Sequence, residues 1–306
     1  MRRFYSMSTS GESGGQLSAG VLGLGIMGGA FARHLAAAGV ETFGYDVLAA
    51  RVAILGGLGA HACASCDEVA RRSDIVITSL PSAAALDDVV EGIAAGARPG
   101  LLVVETSTLA LADKERARQR LTAAGIAMLD APISGTGPQA EAKDIAIFTS
   151  GDRAHFNRVR PILAHLARSV RFVGPFGAGS KLKYIANLLV AIHIAGAAEA
   201  VALGEKAGID PSALVEILAH SAATSRMLEV RGPSMATGDY TTPMMKVDVF
   251  QKDLRIIAGF ARESHAAVPL FHACTPLFAE AAARGMGHYD TAAVISVLRS
   301  RNPSEA

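Results

Sequence analysis

The chain has 306 residues, of which 50% are apolar and 19% are charged, a composition typical of a globular protein with room for two domains. Its 29 basic and 28 acidic side chains leave a formal net charge of +1, so the chain has no overall field that would attract nucleic acid or an anionic membrane. We therefore expect its partner to be a small molecule or another subunit.

The beginning of the chain and its cysteines restrict its location. Residues 1–18 are rich in Ser and Gly and lack an apolar stretch long enough for a secretory signal, which predicts a disordered extension. Cys63 and Cys66 have the spacing of a metal or redox pair, but no second Cys or His pair lies nearby to complete a zinc site. We expect reduced thiols, no bound metal and a cytoplasmic location.

The first half alternates short β-branched runs with amphipathic segments, which is typical of βαβ units and a mainly parallel sheet covered on both faces. The predicted strands are Ala19–Gly23, Glu41–Tyr45, Asp74–Leu80, Leu101–Glu105, Ile126–Asp130, Ile145–Ser150 and Val170–Val173. The predicted helices between them are Ile26–Ala38, Ala83–Glu91, Ala110–Ala124 and Arg153–Ala167.

After Gly179 the strand patterns stop and only helices are predicted. They span Lys181–Ala207, Pro211–Ser221, Val247–Ser264, Pro269–Arg284 and Thr291–Arg299. The fold class is therefore α/β: a doubly wound, Rossmann-type domain over residues 19–179, followed by a smaller all-helical domain over residues 180–306. We expect the ligand in the cleft between them.

The most apolar segment, Tyr184–Gly204, is long enough to raise the question of a membrane span. It contains Asn187, His193 and Glu199, which are costly in lipid, so the sequence favours a buried helix.

A glycine-rich turn, Gly23-Leu24-Gly25-Ile26-Met27-Gly28, follows the first predicted strand and opens the first predicted helix. In that context Gly23 permits the tight turn, Gly25 lets the backbone approach a pyrophosphate, and Gly28 lets helix and strand pack closely. The N–H groups at the helix start then face the phosphates. The alternative is an ordinary strand-to-helix turn, but the context favours a dinucleotide site.

Asp46 directly follows the second predicted strand, about 20 residues after the glycines. A carboxylate there accepts hydrogen bonds from the adenosine ribose hydroxyls and repels a 2′-phosphate, which favours NAD over NADP. Arg51 lies close enough in sequence to leave NADP possible.

Six motifs, in order along the chain, resemble those of the β-hydroxyacid dehydrogenases, a family that includes 3-hydroxyisobutyrate dehydrogenase, tartronate semialdehyde reductase and glyoxylate/succinic semialdehyde reductase. The resemblance covers about Ala19 to Leu298. The motifs are Gly23–Gly28, Leu80-Pro81, Thr106-Ser107-Thr108, Asp130–Gly135, Gly177-Ala178-Gly179 with Lys183 and Asn187, and Gln251-Lys252-Asp253-Leu254.

The resemblance implies that Lys183 is the catalytic acid and base. A lysine can exchange a proton with the substrate oxygen if burial and nearby positive charge lower its pKa. On a helix, Asn187 lies one turn after Lys183 on the same face, whereas Lys181 points elsewhere, so Asn187 would orient the lysine or the substrate. Without the resemblance, two solvated lysines at a helix start would be the preferred interpretation.

Ser134, Gly135 and Thr136 follow a predicted strand, where ligands collect at the carboxyl edge of such sheets. Their backbone N–H groups and hydroxyls could hold a substrate carboxylate, and a merely flexible loop is the alternative. Glycine is commoner than Thr136 in the family, and Ala186 stands where many relatives have a second asparagine. The identity of the substrate therefore does not carry over.

The resemblance also assigns cofactor contacts to Leu80, Pro81 and Thr108, and places Lys252 opposite the nicotinamide or the substrate carboxylate. Taken alone, Lys252 would be an exposed lysine beside an aspartate.

Together these features predict an NAD-dependent oxidoreductase, with NADP possible, that acts on a small β-hydroxy acid or its semialdehyde and assembles as a homodimer or homotetramer. Two alternatives stay open: a non-catalytic dinucleotide-binding interaction protein and an imine reductase-like enzyme. Lys183 argues against both, because family members serving as scaffolds have lost this lysine and imine reductases generally replace it.

Overall fold

The structure is a computed structural model, and it describes residues 17–301. Its main sheet has six parallel strands in the order β3-β2-β1-β4-β5-β6, the doubly wound arrangement predicted from the sequence. These strands are β1 (Ala19–Leu22), β2 (Thr42–Tyr45), β3 (His61–Ala62), β4 (Ile75–Thr78), β5 (Leu102–Glu105) and β6 (Ala127–Asp130).

A second sheet joins the carboxyl end of the first. It consists of β7 (Ile133–Ser134), β8 (Ala146–Thr149) and β9 (Ser169–Phe172), with β7 antiparallel and β9 parallel to β8. The predicted strands at Ile145–Ser150 and Val170–Val173 therefore do not extend the main sheet. An antiparallel bridge between Asp130 and Ser150 connects the two sheets.

Helices cover both faces of the main sheet, and alternate strand residues point into two apolar clusters. Ile75 and Ile77 face one cluster and Val76 faces the other. The helices of this half are α1 (Ile26–Ala37), α2 (Ala49–Val52), α3 (Cys66–Arg72), α4 (Ala83–Gly96), α5 (Leu111–Ala123), α6 (Gly137–Glu141) and α7 (Arg153–Ala164).

The second half is helical and is built around one long central helix. Its helices are α8 (Ala178–Lys206), α9 (Pro211–Ala219), α10 (Arg226–Thr237), α11 (Val247–Glu263), α12 (Pro269–Ala281) and α13 (Ile295–Ser300), with a π-helical turn over Ala282–Met286 and a 3₁₀ turn over Thr291–Val294. A third apolar cluster, which includes Tyr184, Ala198 and Val201 of α8, forms the core of this half.

The length and hydropathy of α8 would suffice to cross a membrane, and 44% of its most apolar 18-residue window is buried within the protein. The helix begins one turn earlier than predicted, at Ala178, because side chains from the sheets bind the amide groups of its first turn.

Residues 1–16, which make up most of the predicted disordered extension, lie outside the described residues. Ser18 is 5% exposed, and its backbone N–H and hydroxyl both donate to the carboxylate of Asp74. Leu17 packs against the core, so the folded part of the chain already includes these two residues.

Candidate active site

The glycine turn has the geometry that a dinucleotide requires. Gly23 has a φ of +86°, and a Cβ there would lie 2.3 Å from the carbonyl oxygen of Ser79. A Cβ on Gly28 would lie 1.8 Å from the carbonyl oxygen of Gly23, so helix and turn pack too closely for any other residue. Gly25 instead faces open space, and the nearest atom to its Cβ position is Nη1 of Arg51 at 3.8 Å.

Helix α1 begins directly after Gly25, and within residues 17–301 no side chain caps it. Its first N–H groups, in the stretch that includes Ile26 and Met27, are therefore free to bind phosphate oxygens. The open cradle at Gly25 and these donors fit the pyrophosphate of NAD or NADP.

Asp46 follows β2 and lies against the same turn. Its carboxylate accepts hydrogen bonds from the backbone N–H groups of Leu24 at 2.7 Å and Leu48 at 2.8 Å, and it pairs with Arg51 at 3.2 Å. Burial acts to raise the pKa of the Asp46 carboxyl, but these hydrogen bonds and Arg51 outweigh it and leave the pKa lowered. Asp46 is therefore an ionised acceptor beside the cofactor turn.

Leu80, Pro81 and Thr108 follow β4 and β5, so they lie at the same carboxyl edge of the sheet as the glycine turn. The N–H of Leu80 donates to Oγ of Ser107 at 2.8 Å, which joins the two loops. Pro81 is exposed, whereas Leu80 and Thr108 are partly buried. The loop that contains Thr108 also meets the helical half, through bonds to its carbonyl oxygen and to that of Leu109.

Lys183 and Asn187 lie one turn apart on α8, as the sequence predicted, and Lys181 is exposed. Nδ2 of Asn187 donates to Oδ2 of Asp253 on α11 at 2.9 Å, and both residues are buried. The other oxygen, Oδ1, has no hydrogen-bond partner among residues 17–301 and lies 3.4 Å from Nζ of Lys252. Asp253 thus stands between two lysines and an amide.

The charges in this cluster shift one another's proton affinity. Burial lowers the pKa of Lys183, with Asp253 opposing the shift and Lys252 adding to it. Burial raises the pKa of the Asp253 carboxyl, against the effect of Lys252 and Lys183. Lys183 therefore releases a proton more readily than an ordinary lysine does.

Lys252 connects the helical half to the sheet half. Its Nζ donates to the carbonyl oxygen of Thr108 at 2.6 Å, and the side chain is only 30% exposed. Tyr184 makes a second connection through its hydroxyl, which donates to the carbonyl oxygen of Leu109 at 2.5 Å. Two direct hydrogen bonds thus join the helical half to the loop that follows β5.

The loop Ser134–Thr136 lies between the glycine turn and the start of α8. A Cβ on Gly137 would lie 2.6 Å from Cγ2 of Ile26, and one on Gly179 would lie 3.0 Å from Cδ of Pro132. Thr136 is the N-cap of α6, and its hydroxyl donates to Oε1 of Gln139 at 3.1 Å. This hydroxyl has a structural partner within its own loop.

Sequence reasoning gave no role to Asp253, or to a buried ion cluster beneath the site formed by Glu105, Lys114 and Asp130. Nζ of Lys114 lies 2.8 Å from Glu105 and 2.9 Å from Asp130, with all three side chains fully buried. A signal for Lys114 was present, because Lys114, Ala117 and Leu121 share the buried stripe of α5.

The doubly wound sheet, the phosphate-binding turn and the partly buried lysine across the cleft define a dinucleotide-dependent oxidoreductase. Family models agree: that for the NAD binding domain of 6-phosphogluconate dehydrogenase matches residues 18–174, and that for the NAD-binding region of NADP-dependent 3-hydroxyisobutyrate dehydrogenase matches residues 177–298.

Individual relatives give the same assignment over nearly the whole chain. The L-threonate dehydrogenase of Cupriavidus necator is 38% identical over 91% of this chain and 95% of its own length. A crystal structure of a 3-hydroxyisobutyrate dehydrogenase from Salmonella typhimurium is 37% identical, has a TM-score of 0.84, and is matched over 92% of this chain and 99% of that one. The chain belongs to the NAD(P)-dependent hydroxyacid dehydrogenase family.

A 3-hydroxyisobutyrate dehydrogenase of Mycobacterium tuberculosis, whose structure includes L-serine, is 27% identical with a TM-score of 0.86 over 93% of this chain and all of that one. Imine reductases share the fold, with TM-scores of 0.61 to 0.63 at 19 to 23% identity. The family assignment supports the predicted dehydrogenase over the interaction protein and the imine reductase.

Proposed function

We propose that the protein oxidises a small β-hydroxy acid with NAD, or reduces the corresponding semialdehyde, with Lys183 as the general acid and base. The observation that carries this proposal is the partly buried Lys183, whose lowered pKa suits proton exchange, in the cleft that the dinucleotide turn also faces. NAD, when bound, accepts the hydride in oxidation, and its reduced form donates it in reduction.

The side chains around Lys183 would have separate tasks. In oxidation neutral Lys183 takes the proton of the substrate hydroxyl, and in reduction its ammonium returns a proton to the carbonyl oxygen. Asp253 holds the amide of Asn187 through the bond from Nδ2, which leaves the amide oxygen of Asn187 to orient the lysine or the hydroxyl. These tasks need no metal ligand from the protein.

The substrate carboxylate would bind where positive charge and N–H donors meet. We assign it to Ser134 and Gly135, with Lys252 facing it from α11, and give Thr136 the task of holding the loop through Gln139. This assignment fits a short hydroxy acid. The relation to L-threonate dehydrogenases supports a polyhydroxylated acid, and L-threonate belongs at the head of any assay panel.

The cofactor is proposed to be NAD. The ionised Asp46 lies where the ribose hydroxyls would bind, and a second negative charge there would be repelled. Leu24 and the three glycines shape the turn, while Leu80, Pro81 and Thr108 line the far wall of the nucleotide site.

The proposal is tested with the variant Lys183→Ala and its matched control Lys181→Ala, which removes an exposed lysine two residues away. We expect kcat of Lys183→Ala on the best substrate of a hydroxy-acid panel to fall roughly 10²- to 10⁴-fold. NADH binding, followed by its fluorescence, should be unchanged, and Lys181→Ala should match the wild type. Turnover of Lys183→Ala near the wild-type rate would refute the mechanism.

We also propose that the chain divides into functional domains at about residue 179, acts in the cytoplasm and assembles as a homodimer or homotetramer. Support for assembly comes from α8, where Leu182, Ile185 and Leu189 are 37%, 52% and 48% exposed on successive turns. Light scattering distinguishes these states from a monomer.

A further inference from the structure

We propose that Lys114 is a positioning residue for the active site, because its buried ammonium joins the loop after β5 to the first turn of α8 and so sets where Lys183 stands. The inference rests on the proposed role of Lys183. It depends on two sets of contacts, one through Asp130 and one through Glu105.

The first set fixes the start of α8. Oδ2 of Asp130 accepts the backbone N–H of Ser180 at 2.8 Å, and Oδ1 accepts the hydroxyl of Ser180 at 2.7 Å. The N–H of Gly179 donates to Oγ of Ser150, which itself donates to Oδ2 of Asp130 at 2.9 Å. Gly177, the N-cap, offers no side chain, so these two residues supply the cap from outside the helix.

This capping bears directly on Lys183. Ser180 precedes Lys183 by three residues, a little less than one helical turn, so a shift of the first turn of α8 moves the lysine with it. A carboxylate at a helix N-terminus is also favoured by the helix dipole.

The second set fixes the opposite wall. Both oxygens of Glu105 accept the backbone N–H of Ser107, at 3.0 and 3.2 Å, and Oγ of Ser107 accepts the N–H of Leu80. The next residue, Thr108, accepts the bond from Lys252. Glu105 therefore orders the segment that receives Lys252.

Lys114 holds the two buried carboxylates together through its single ammonium group. Two buried anions side by side repel each other, so without the ammonium between them at least one carboxylate would move away from its partners. That movement would release N–H groups that the carboxylates accept, either at Ser180 or at Ser107. The ammonium lies 2.8 Å from Glu105 and 2.9 Å from Asp130. It thereby fixes the loop after β5 and the first turn of α8 relative to each other.

The test uses the full-length enzyme and the double variant Glu105→Gln/Lys114→Met. The wild-type cluster carries two carboxylates and one ammonium, a net charge of −1. The double variant has the same net charge, which Asp130 alone carries. The buried charge is therefore unchanged, but the ion pairs of Lys114 with Glu105 and Asp130 are lost. Glu105→Gln alone, which retains the pair of Lys114 with Asp130, is the second variant if the double variant does not fold. Leu163→Ala, at a buried residue of α7, controls for lost stability.

Two readouts are compared at a temperature where every variant is folded. We expect kcat to fall about tenfold or more, because a small displacement of the acid is costly to proton transfer. We expect the pH midpoint for labelling Lys183 with an amine reagent, followed by mass spectrometry, to move by at least roughly half a unit. Leu163→Ala should lower the melting temperature and change neither readout.

The outcomes separate this inference from the proposed function. If kcat and the labelling midpoint are both unchanged in Glu105→Gln/Lys114→Met, or in Glu105→Gln where the double variant does not fold, Lys114 only stabilises the fold. If the wild type turns over no hydroxy acid, the proposed function fails, and the labelling midpoint still decides whether Lys114 positions Lys183.

Discussion

Two regions of the protein each enclose a lysine, and they shift the pKa of that lysine in opposite directions. Beneath the sheet edge, Lys114 faces two carboxylates; burial acts to lower its pKa, but Asp130 and Glu105 outweigh burial and raise the pKa. In the cleft, Lys183 faces one carboxylate and a second lysine, and its pKa is lowered.

The difference shows that burial alone does not make a lysine reactive. What differs is the balance of neighbouring charge: two anions make Lys114 a permanent cation, whereas Asp253 and Lys252 largely oppose each other around Lys183 and leave burial in control. The first arrangement suits a fixed structural charge and the second suits proton exchange.

The largest effect is expected from removing the structural cation. Lys114→Met leaves two buried carboxylates without a partner, and we expect the free energy of unfolding in urea to fall by about 3–5 kcal/mol. Lys183→Met removes a charge that burial already disfavours, so its unfolding free energy should equal or exceed that of the wild type. Equal losses of stability in the two variants would contradict the contrast between the two lysines.

A smaller effect, on the pH dependence of the rate, is expected when the charged neighbours of Lys183 are replaced. Oxidation needs neutral Lys183, so kcat/KM rises with pH through the pKa of this lysine. Asp253→Asn removes the anion that favours the ammonium and should lower the pH of the half-maximal rate by about one unit. Lys252→Met removes the cation that disfavours it and should raise that pH.

The opposite signs are the control within this experiment, since damage to the cleft alone would lower the rate without moving the two midpoints apart. Midpoints that move in the same direction would show that Asp253 and Lys252 do not act on Lys183 through charge.

Most of the fold could be predicted because periodicity and turn chemistry are local properties. All seven predicted strands occur within two residues of their predicted limits, and α9 begins at Pro211 as predicted, with Asp210 as its N-cap. Sequence patterns missed β3 and β7, which have two residues each, the short helices α2, α3 and α6, and α10, which carries Gly232 and Pro233. The two short strands form because they pair with strands that are distant in sequence. Helix α10 forms because it packs against α8 and α9. No local sequence pattern shows either kind of contact.

The site was predictable only where chemistry and spacing coincide. Gly23 and Gly28 follow from turn geometry. Lys183 was singled out by the family resemblance, and helical spacing then placed Asn187 on the same face. The roles of Asp253 and Lys114 arise from contacts 66 and 16 residues away along the chain, with Asn187 and Asp130. The position of Lys114 on the buried stripe of α5 indicated that it is buried, but not which carboxylates it binds. A charged residue in such a place looks like part of a solvated helix face until its partners are known.

The smallest effect, on the preference for NAD over NADP, is expected from replacing Asp46 beside the glycine turn. Asp46 and Asp253 are both buried, but the pKa of Asp46 is lowered because two N–H groups and an arginine contact its carboxylate. The pKa of Asp253 is raised. Asp46→Asn keeps an acceptor for Leu24 but removes the charge that would repel a 2′-phosphate. We expect KM for NAD to rise several-fold and the preference for NAD over NADP to shrink by about tenfold.

Arg51 decides how that loss of preference arises. Once Asp46 is neutral, Arg51 is released from its ion pair and can bind the 2′-phosphate of NADP. Initial rates with both cofactors should therefore show improved use of NADP in Asp46→Asn, and a return to poor use in Asp46→Asn/Arg51→Ala. If the double variant uses NADP as well as the single variant does, relief of repulsion alone explains the change, and Arg51 serves only to hold Asp46 in place.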